Sequence, residues 1–90
     1  MAEAAEGVEK DLLILVQALN RIGALQPDGS RQCPYIAIFK DEVLEQQLES
    51  LMGSLKAAKK RGIVAYDGQI LLQGVNDHSL ITLAPTHVTQ

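Results

Sequence analysis

Residues 55–74 read LKAAKKRGIVAYDGQILLQG and combine the basic end of a helix with two apolar runs. Gly62 follows the helical part, and a glycine just past a helix commonly ends it. Asp67-Gly68 separates the apolar runs 63–66 and 69–73. This dipeptide between two such runs is a strong signal for a two-residue hairpin turn. The stretch therefore predicts a helix that runs directly into a β-hairpin.

Residues 8–22 show the 3.6-residue period of an amphipathic helix. The apolar face of this predicted helix holds Val8, Leu12, Leu15, Val16, Leu19 and Ile22. Gly23 is predicted to end the helix in the left-handed conformation, which glycine adopts at little cost. Residues 1–7 and the tail at residues 85–90 are expected to be flexible. A single domain over residues 8–84 is the prediction for the remainder, since 90 residues leave no room for a second one.

The middle of the chain predicts short elements joined by turns. Gln26-Pro27-Asp28-Gly29 is typical of a β-turn, and a short strand over residues 30–33 would end at Pro34. Residues 35–39 have the composition of a strand, although a short helix is equally compatible with them. Residues 80–83 predict a last strand before Pro85.

A second helical pattern extends over residues 41–60. Asp41 is a candidate N-cap because its side chain can accept a hydrogen bond from the first helical turn. Gly53 interrupts the pattern, where it either permits close helix packing or marks a change of helix. One stripe of this pattern holds Leu44, Leu48, Leu51, Met52, Leu55 and Ala58.

The composition limits the possible functions. The net charge of −3 and the pI of about 5.2 argue against a general nucleic-acid binder, which usually carries a basic surface. The one cysteine, Cys33, permits no internal disulfide and favours a reducing, cytoplasmic compartment. No signal peptide pattern is present, and the longest apolar run, residues 12–16, is too short to cross a membrane.

One cluster of positive charge stands out, consisting of Lys56, Lys59, Lys60 and Arg61. The simpler interpretation is a solvated helix end whose cations complement the helix dipole. The functional interpretation is a contact patch for an acidic partner. Lys59 is the weaker member, because it lies at the edge of the leucine stripe, where its stem can cover apolar surface.

No pattern in the chain predicts an enzyme or a cofactor site. Asp77-His78-Ser79 contains the residue types of a catalytic triad, but consecutive residues in a turn do not usually converge on a nucleophile. Turn formation explains these residues without catalysis. The two histidines, His78 and His87, and Cys33 are too few and too scattered for a structural zinc site.

The chain resembles the costars family, small relatives of the C-terminal actin-binding domain of the striated-muscle activator of Rho signalling. The resemblance covers residues 8–84 and is strongest from Leu51 onward. It is carried by Pro27-Asp28-Gly29, Phe39-Lys40-Asp41-Glu42, residues 51–78 with the string Leu71-Leu72-Gln73-Gly74, and Ile81-Thr82-Leu83.

The resemblance implies an α+β, winged-helix-like fold with three helices and a small antiparallel sheet that forms a wing. It favours a short helix at residues 35–39 and a helix break near residues 45–48. It also implies a non-catalytic, cytoskeleton-associated role in actin dynamics and cell motility, with actin filaments or an actin-regulatory protein as the partner. Under this interpretation Lys56, Lys60 and Arg61 carry the contact, no cofactor or membrane is involved, and the protein is a monomer.

The alternative is a winged-helix module that binds nucleic acid, as many winged helices do. The predicted wing carries Asp67 and Asp77 and contains no lysine or arginine. Phosphate would be repelled there, so the protein-interaction hypothesis is the preferred one.

Overall fold

The computed structural model describes residues 2–68 and 71–89. Within these residues four α-helices pack against one four-stranded antiparallel sheet, so the α+β class is confirmed. The helices are α1 (Ala2–Ile22), α2 (Tyr35–Phe39), α3 (Glu42–Gln47) and α4 (Leu51–Lys60). The strands are β1 (Ala24–Leu25), β2 (Arg31–Pro34), β3 (Val64–Ala65) and β4 (Leu80–Leu83), and a single 3₁₀ turn follows at Pro85–His87.

The core lies between α1 and the inner face of the sheet. Alternate residues of β4 point inward, so Ile81 and Leu83 are fully buried while Leu80 is exposed. They pack with the apolar face of α1, whose period was visible in the sequence. The largest fully buried side chains are Leu15, Leu19, Ile38, Leu44, Leu55, Ile81 and Leu83.

Helix α1 differs from its prediction at both ends. It begins at Ala2, six residues before the predicted start at Val8. Gly23 follows the helix as expected, but its φ is not positive, so the predicted left-handed cap is wrong. The glycine is required for space, since a Cβ there would lie 2.7 Å from the Leu19 carbonyl oxygen and 3.0 Å from Arg31 Cβ.

The helical pattern over residues 41–60 is two helices, which raises the count from the three expected to four. Asp41 caps α3 as predicted, with its side chain accepting a hydrogen bond from the Leu44 N–H. Leu48 then adopts an extended conformation, and Ser50 caps α4 by accepting from the Gly53 N–H. The short helix expected at residues 35–39 and a break close to residues 45–48 are thereby confirmed.

The sheet has the order β1-β2-β4-β3. The predicted turn at residues 26–29 joins β1 to β2, and Pro34 ends β2 as expected. Cys33 lies opposite Ile81 in the central antiparallel pair. The predicted last strand is β4, which lies between β2 and the short edge strand β3.

The predicted hairpin over residues 63–73 is wrong in the part that the structure describes. Val64 and Ala65 do form a strand, but they pair with Leu83 and Thr82 of β4. Residues 71–73 are not in a strand, while Gln69 and Ile70 of the predicted second arm lie outside the described residues. Leu71 is buried in the core instead, so packing rather than strand pairing places this segment.

Candidate partner-binding surface

All four cations at the basic end of α4 are exposed. Lys56 and Lys60 lie on the solvent side of the helix, and Arg61 caps its C-terminus through a backbone N–H bond to the Ala57 carbonyl. The negative end of the helix dipole stabilises cations in this last turn. Gly62 then ends the helix in the left-handed region with φ +76°, as glycine stops do.

Lys59 is held by the chain that follows the helix. Its Nζ donates hydrogen bonds to the Tyr66 carbonyl oxygen at 2.7 Å and to the Gly68 carbonyl oxygen at 2.5 Å. The same nitrogen lies 4.4 Å from the centroid of the Tyr66 ring, within the range of a cation–π contact. Lys59 therefore anchors residues 66–68 to α4 and has less freedom to meet a partner than Lys56 or Lys60.

Tyr66 completes a shallow depression of about 320 Å³ together with Lys56, Lys59 and Lys60. Its ring is buried, and this burial raises the pKa of its hydroxyl group. The lysines at the rim create a positive potential above an aromatic floor, which suits an acidic side chain of a partner. Tyr66 was not among the predicted site residues, because only the reversal of the chain at Gly62 brings it beside the lysines.

The Asp77-His78-Ser79 stretch has a structural role in the described part of the chain. The carbonyl oxygens of Asp77 and Ser79 accept hydrogen bonds from the N–H groups of Ile36 and Tyr35. These donors open α2, whose N-cap residue is Pro34 and supplies no side-chain cap. The three residues thus hold their loop against the start of α2, while the His78 side chain is exposed.

Cys33 is buried in β2, and burial raises the pKa of its thiol to about 11, which disfavours the reactive thiolate at neutral pH.

The C-terminal tail contacts α1. Asn20 of α1 donates to the His87 carbonyl oxygen and accepts from the Thr89 N–H. Residues 85–89 thus lie against α1, and the flexibility expected for this tail stays a prediction.

No helix in the described part of the chain has the length and apolar character needed to cross a membrane. Residues 2–68 and 71–89 also contain no group of three or more His, Cys, Asp or Glu side chains placed to hold a metal ion. The predicted site at the basic end of α4 is exposed. Its role in partner binding stays a prediction.

Comparison with known proteins gives one consistent match. A family model described as Costars matches residues 7–84. A Costars family protein of Oryza sativa subsp. indica is 46% identical over 78 residues, which cover 87% of this chain and 90% of the relative. The Costars family protein ABRACL of Coturnix coturnix is 42% identical over 76 residues, which cover 84% of this chain and 94% of the relative.

One solved structure has the same fold. The solution structure of the human HSPC280 protein matches this chain with a TM-score of 0.75 and 39% sequence identity. The match covers 84% of this chain and 89% of the human one.

Proposed function

The chain belongs to the Costars family, and from this we propose that it is a non-catalytic interaction module that regulates actin dynamics. It would bind either actin filaments or a protein that acts on them, in the cytoplasm. The resemblance of the sequence to an actin-binding domain supports this role. The proposal follows from that kinship, and the structure supplies the surface on which to test it.

The observation that carries the proposal is the exposed basic end of α4. Lys56, Lys60 and Arg61 are exposed there on a chain whose net charge is −3. An acidic surface such as that of an actin filament would be attracted to this end and repelled by much of the remaining molecule. Charge complementarity therefore orients the encounter as well as strengthening it.

The contact is expected to be weak and sensitive to salt. Exposed ion pairs contribute about 0.2 to 1 kcal/mol each, because water and salt screen them. Three exposed cations therefore supply only modest affinity on their own. Binding that survives high salt would need an apolar contribution from elsewhere on the surface.

Co-sedimentation with filamentous actin across a salt series tests the proposal. The full chain should pellet with filaments at low salt and be released as salt rises. The variant Lys56→Glu/Lys60→Glu should stay in the supernatant, whereas Lys56→Arg/Lys60→Arg, which keeps both charges, should pellet. A matched control, Lys10→Glu/Lys40→Glu, makes the same charge change at exposed lysines on α1 and after α2.

The same series is run with and without a filament-severing factor. Pelleting or altered severing only when the factor is present would support the form of the proposal in which the partner is an actin-regulatory protein. Equal pelleting by the folded Lys56→Glu/Lys60→Glu variant would contradict the assignment of the basic end. Absence of any effect in both arms would contradict the actin role itself.

A further inference from the structure

A groove opens where α2, α3 and α4 meet, away from the basic end of α4. It encloses about 300 Å³, and its floor is formed by Ile38 and Phe39 of α2, Leu44 of α3, and Leu48 and Leu51 around the break before α4. Ile38 and Leu44 are fully buried, so the floor belongs to the rigid core. Phe39 has 37% of its surface exposed, so part of its side chain is open to a partner.

The groove continues into a second depression along α4. This depression has a volume of about 260 Å³ and shares Glu49 with the groove. Leu12 of α1 and the small residues Gly53 and Ala57 of α4 line it. The two depressions adjoin at Glu49, their lining residues come from α1 to α4 and the residues between α3 and α4, and together they are called the trough below.

The charged residues that line this trough are all acidic. Glu45 and Glu49 line the groove, and Asp11 and Glu49 line the second depression. Of the residues that the structure describes, neither a lysine nor an arginine lines either depression. An occupant must therefore supply apolar side chains for the floor and positive charges for the rim.

We propose that this trough binds a basic amphipathic helix of a partner protein. Apolar side chains at helical positions i, i+3, i+4 and i+7 would lie on the floor formed by Phe39, Leu48 and Leu51. Lysines or arginines on the flanks of that helix would pair with Glu45, Glu49 and Asp11. An acidic segment would be repelled by the rim, and a uniformly polar segment would leave the apolar floor without a partner.

The proposal is independent of the actin role, because it uses none of the residues at the basic end of α4. Together the two surfaces would give one small chain a basic site for an acidic partner and an acidic-rimmed trough for a basic one. Such a chain could hold two different proteins at once.

The test uses a labelled peptide of about 14 residues, roughly four helical turns, built from leucine and lysine in an amphipathic helical pattern. A second peptide has the same composition in scrambled order, and a third has glutamate in place of lysine. Fluorescence anisotropy measures binding to the full chain. Amide chemical shifts of the protein show which residues the peptide touches.

Two pairs of variants separate the trough from general attraction to an acidic protein. Glu45→Lys/Glu49→Lys reverses the rim, and Glu42→Lys/Asp67→Lys makes the same charge change at exposed carboxylates outside it. Phe39→Ala removes floor surface, and Leu72→Ala removes a comparably exposed apolar side chain elsewhere. Circular dichroism and the melting temperature check that each variant is folded.

We expect the rim variant to bind the amphipathic lysine peptide roughly tenfold more weakly, while its control changes binding about twofold or less. Phe39→Ala should also weaken binding, and Leu72→Ala should leave it unchanged. The shifts should concentrate at Phe39, Glu49 and Gly53. Equal loss in the two charge variants, equal binding of the scrambled peptide, or shifts centred elsewhere would overturn the proposal. So would self-association of the chain through this face in sedimentation experiments.

Discussion

Two connections in the described part of the molecule join neighbouring antiparallel strands, and they differ in how far along the chain their stabilising contacts reach. The first connection, residues 26–30, links β1 to β2. The second connection, residues 66–79, links β3 to β4, with residues 69 and 70 outside the described part. The sequence predicted a tight turn in each, at residues 26–29 and at Asp67-Gly68, but the strand predicted to follow the second turn is absent from residues 71–73.

The first connection is stabilised by its own residues. Asp28 accepts hydrogen bonds from the Ser30 N–H at 2.9 Å and from the Ser30 hydroxyl at 2.6 Å. The Gly29 N–H donates to the Gln26 carbonyl oxygen, and Gly29 has a φ of +92°. These bonds join residues only two or three positions apart and use the turn chemistry of proline, aspartate and glycine, which is why the sequence sufficed to predict the turn.

The second connection has hydrogen bonds of its own within residues 72–79, such as that from the Leu72 N–H to the Asn76 side chain, but it also depends on distant parts of the chain. Lys59 binds carbonyl oxygens at its start, and the N–H groups of Tyr35 and Ile36 bind carbonyl oxygens at its end. In between, Leu71 is buried in the core, and its N–H donates to the sulfur of Met52 at 3.2 Å. A local hairpin signal is outweighed when burying a side chain stabilises a different path.

Two adjacent leucines of the second connection offer the strongest way to test this contrast. Leu71 is 3% exposed and Leu72 is 51% exposed. Leu71→Ala should lower the free energy of unfolding by about 2 to 4 kcal/mol, because it leaves a cavity in the core. Leu72→Ala should change it by less than about 0.5 kcal/mol. Chemical denaturation measures both.

Similar effects of the two alanine variants would mean that the second connection is not anchored through the core. The contrast between the connections would then fail. If Leu71→Ala lowers the free energy of unfolding strongly and also removes the amide signals of residues 66–79, the contrast between the connections would be strengthened. It would show that one side chain orders the whole connection.

Lys59 provides the next test, with Lys60 as its neighbour and control. Lys59→Met keeps an unbranched apolar stem but removes the donor to Tyr66 and Gly68. The free energy of unfolding should fall by about 1 kcal/mol, the typical net value of such bonds. Lys60→Met removes an exposed cation from the last helical turn, so the lost interaction with the helix dipole should lower the free energy of unfolding by only about 0.3 kcal/mol.

The two methionine variants also separate anchoring from partner binding. Lys60→Met should weaken pelleting with actin filaments with no more than this small loss of stability. If Lys59→Met reduced pelleting as much as Lys60→Met and left stability unchanged, Lys59 would be a contact residue rather than an anchor.

The smallest effect is expected at the first connection and depends on pH. The hydroxyl of Ser30, with help from its N–H, holds the pKa of Asp28 below its ordinary value of 3.8. A lowered pKa in the folded protein stabilises the fold above pH 3.8, and this contribution disappears as the pH falls through the folded-state pKa. Asp28→Asn removes this dependence and retains an oxygen that can accept a hydrogen bond.

The melting temperature of the parent protein should therefore exceed that of Asp28→Asn at neutral pH by a small margin. This margin should vanish in acid below pH 3.8. Other carboxylates, such as Asp41 beside Arg21, titrate equally in both proteins and cancel in the difference. A margin that stays constant with pH would show that the hydrogen bonds of Asp28 do not depend on its charge.

The candidate site was predictable in part. Lys56, Lys60 and Arg61 lie within six positions of one another at the end of one predicted helix, so the sequence identified them, and the structure leaves them exposed. Tyr66 joins the site only through the chain reversal at Gly62. The acidic-rimmed trough was not predictable, since Phe39, Glu49 and Leu12 come from separate elements, and their proximity depends on how the helices pack.

The sequence by itself determined the elements whose signals are local. The apolar period of α1, the turn at Pro27-Asp28-Gly29, the Asp41 cap and strand β4 all follow from residues within a few positions of one another. Only the tertiary structure decided that β3 pairs with β4, since that pair joins residues 64 and 83 across the second connection. It also placed Arg31 of β2 against Gly23, so that a Cβ on Gly23 would lie 3.0 Å from Arg31 Cβ in addition to its local contact with Leu19. The physical reason is the same in both cases: burial and steric contact are properties of the packed chain, and short-range sequence patterns do not encode them.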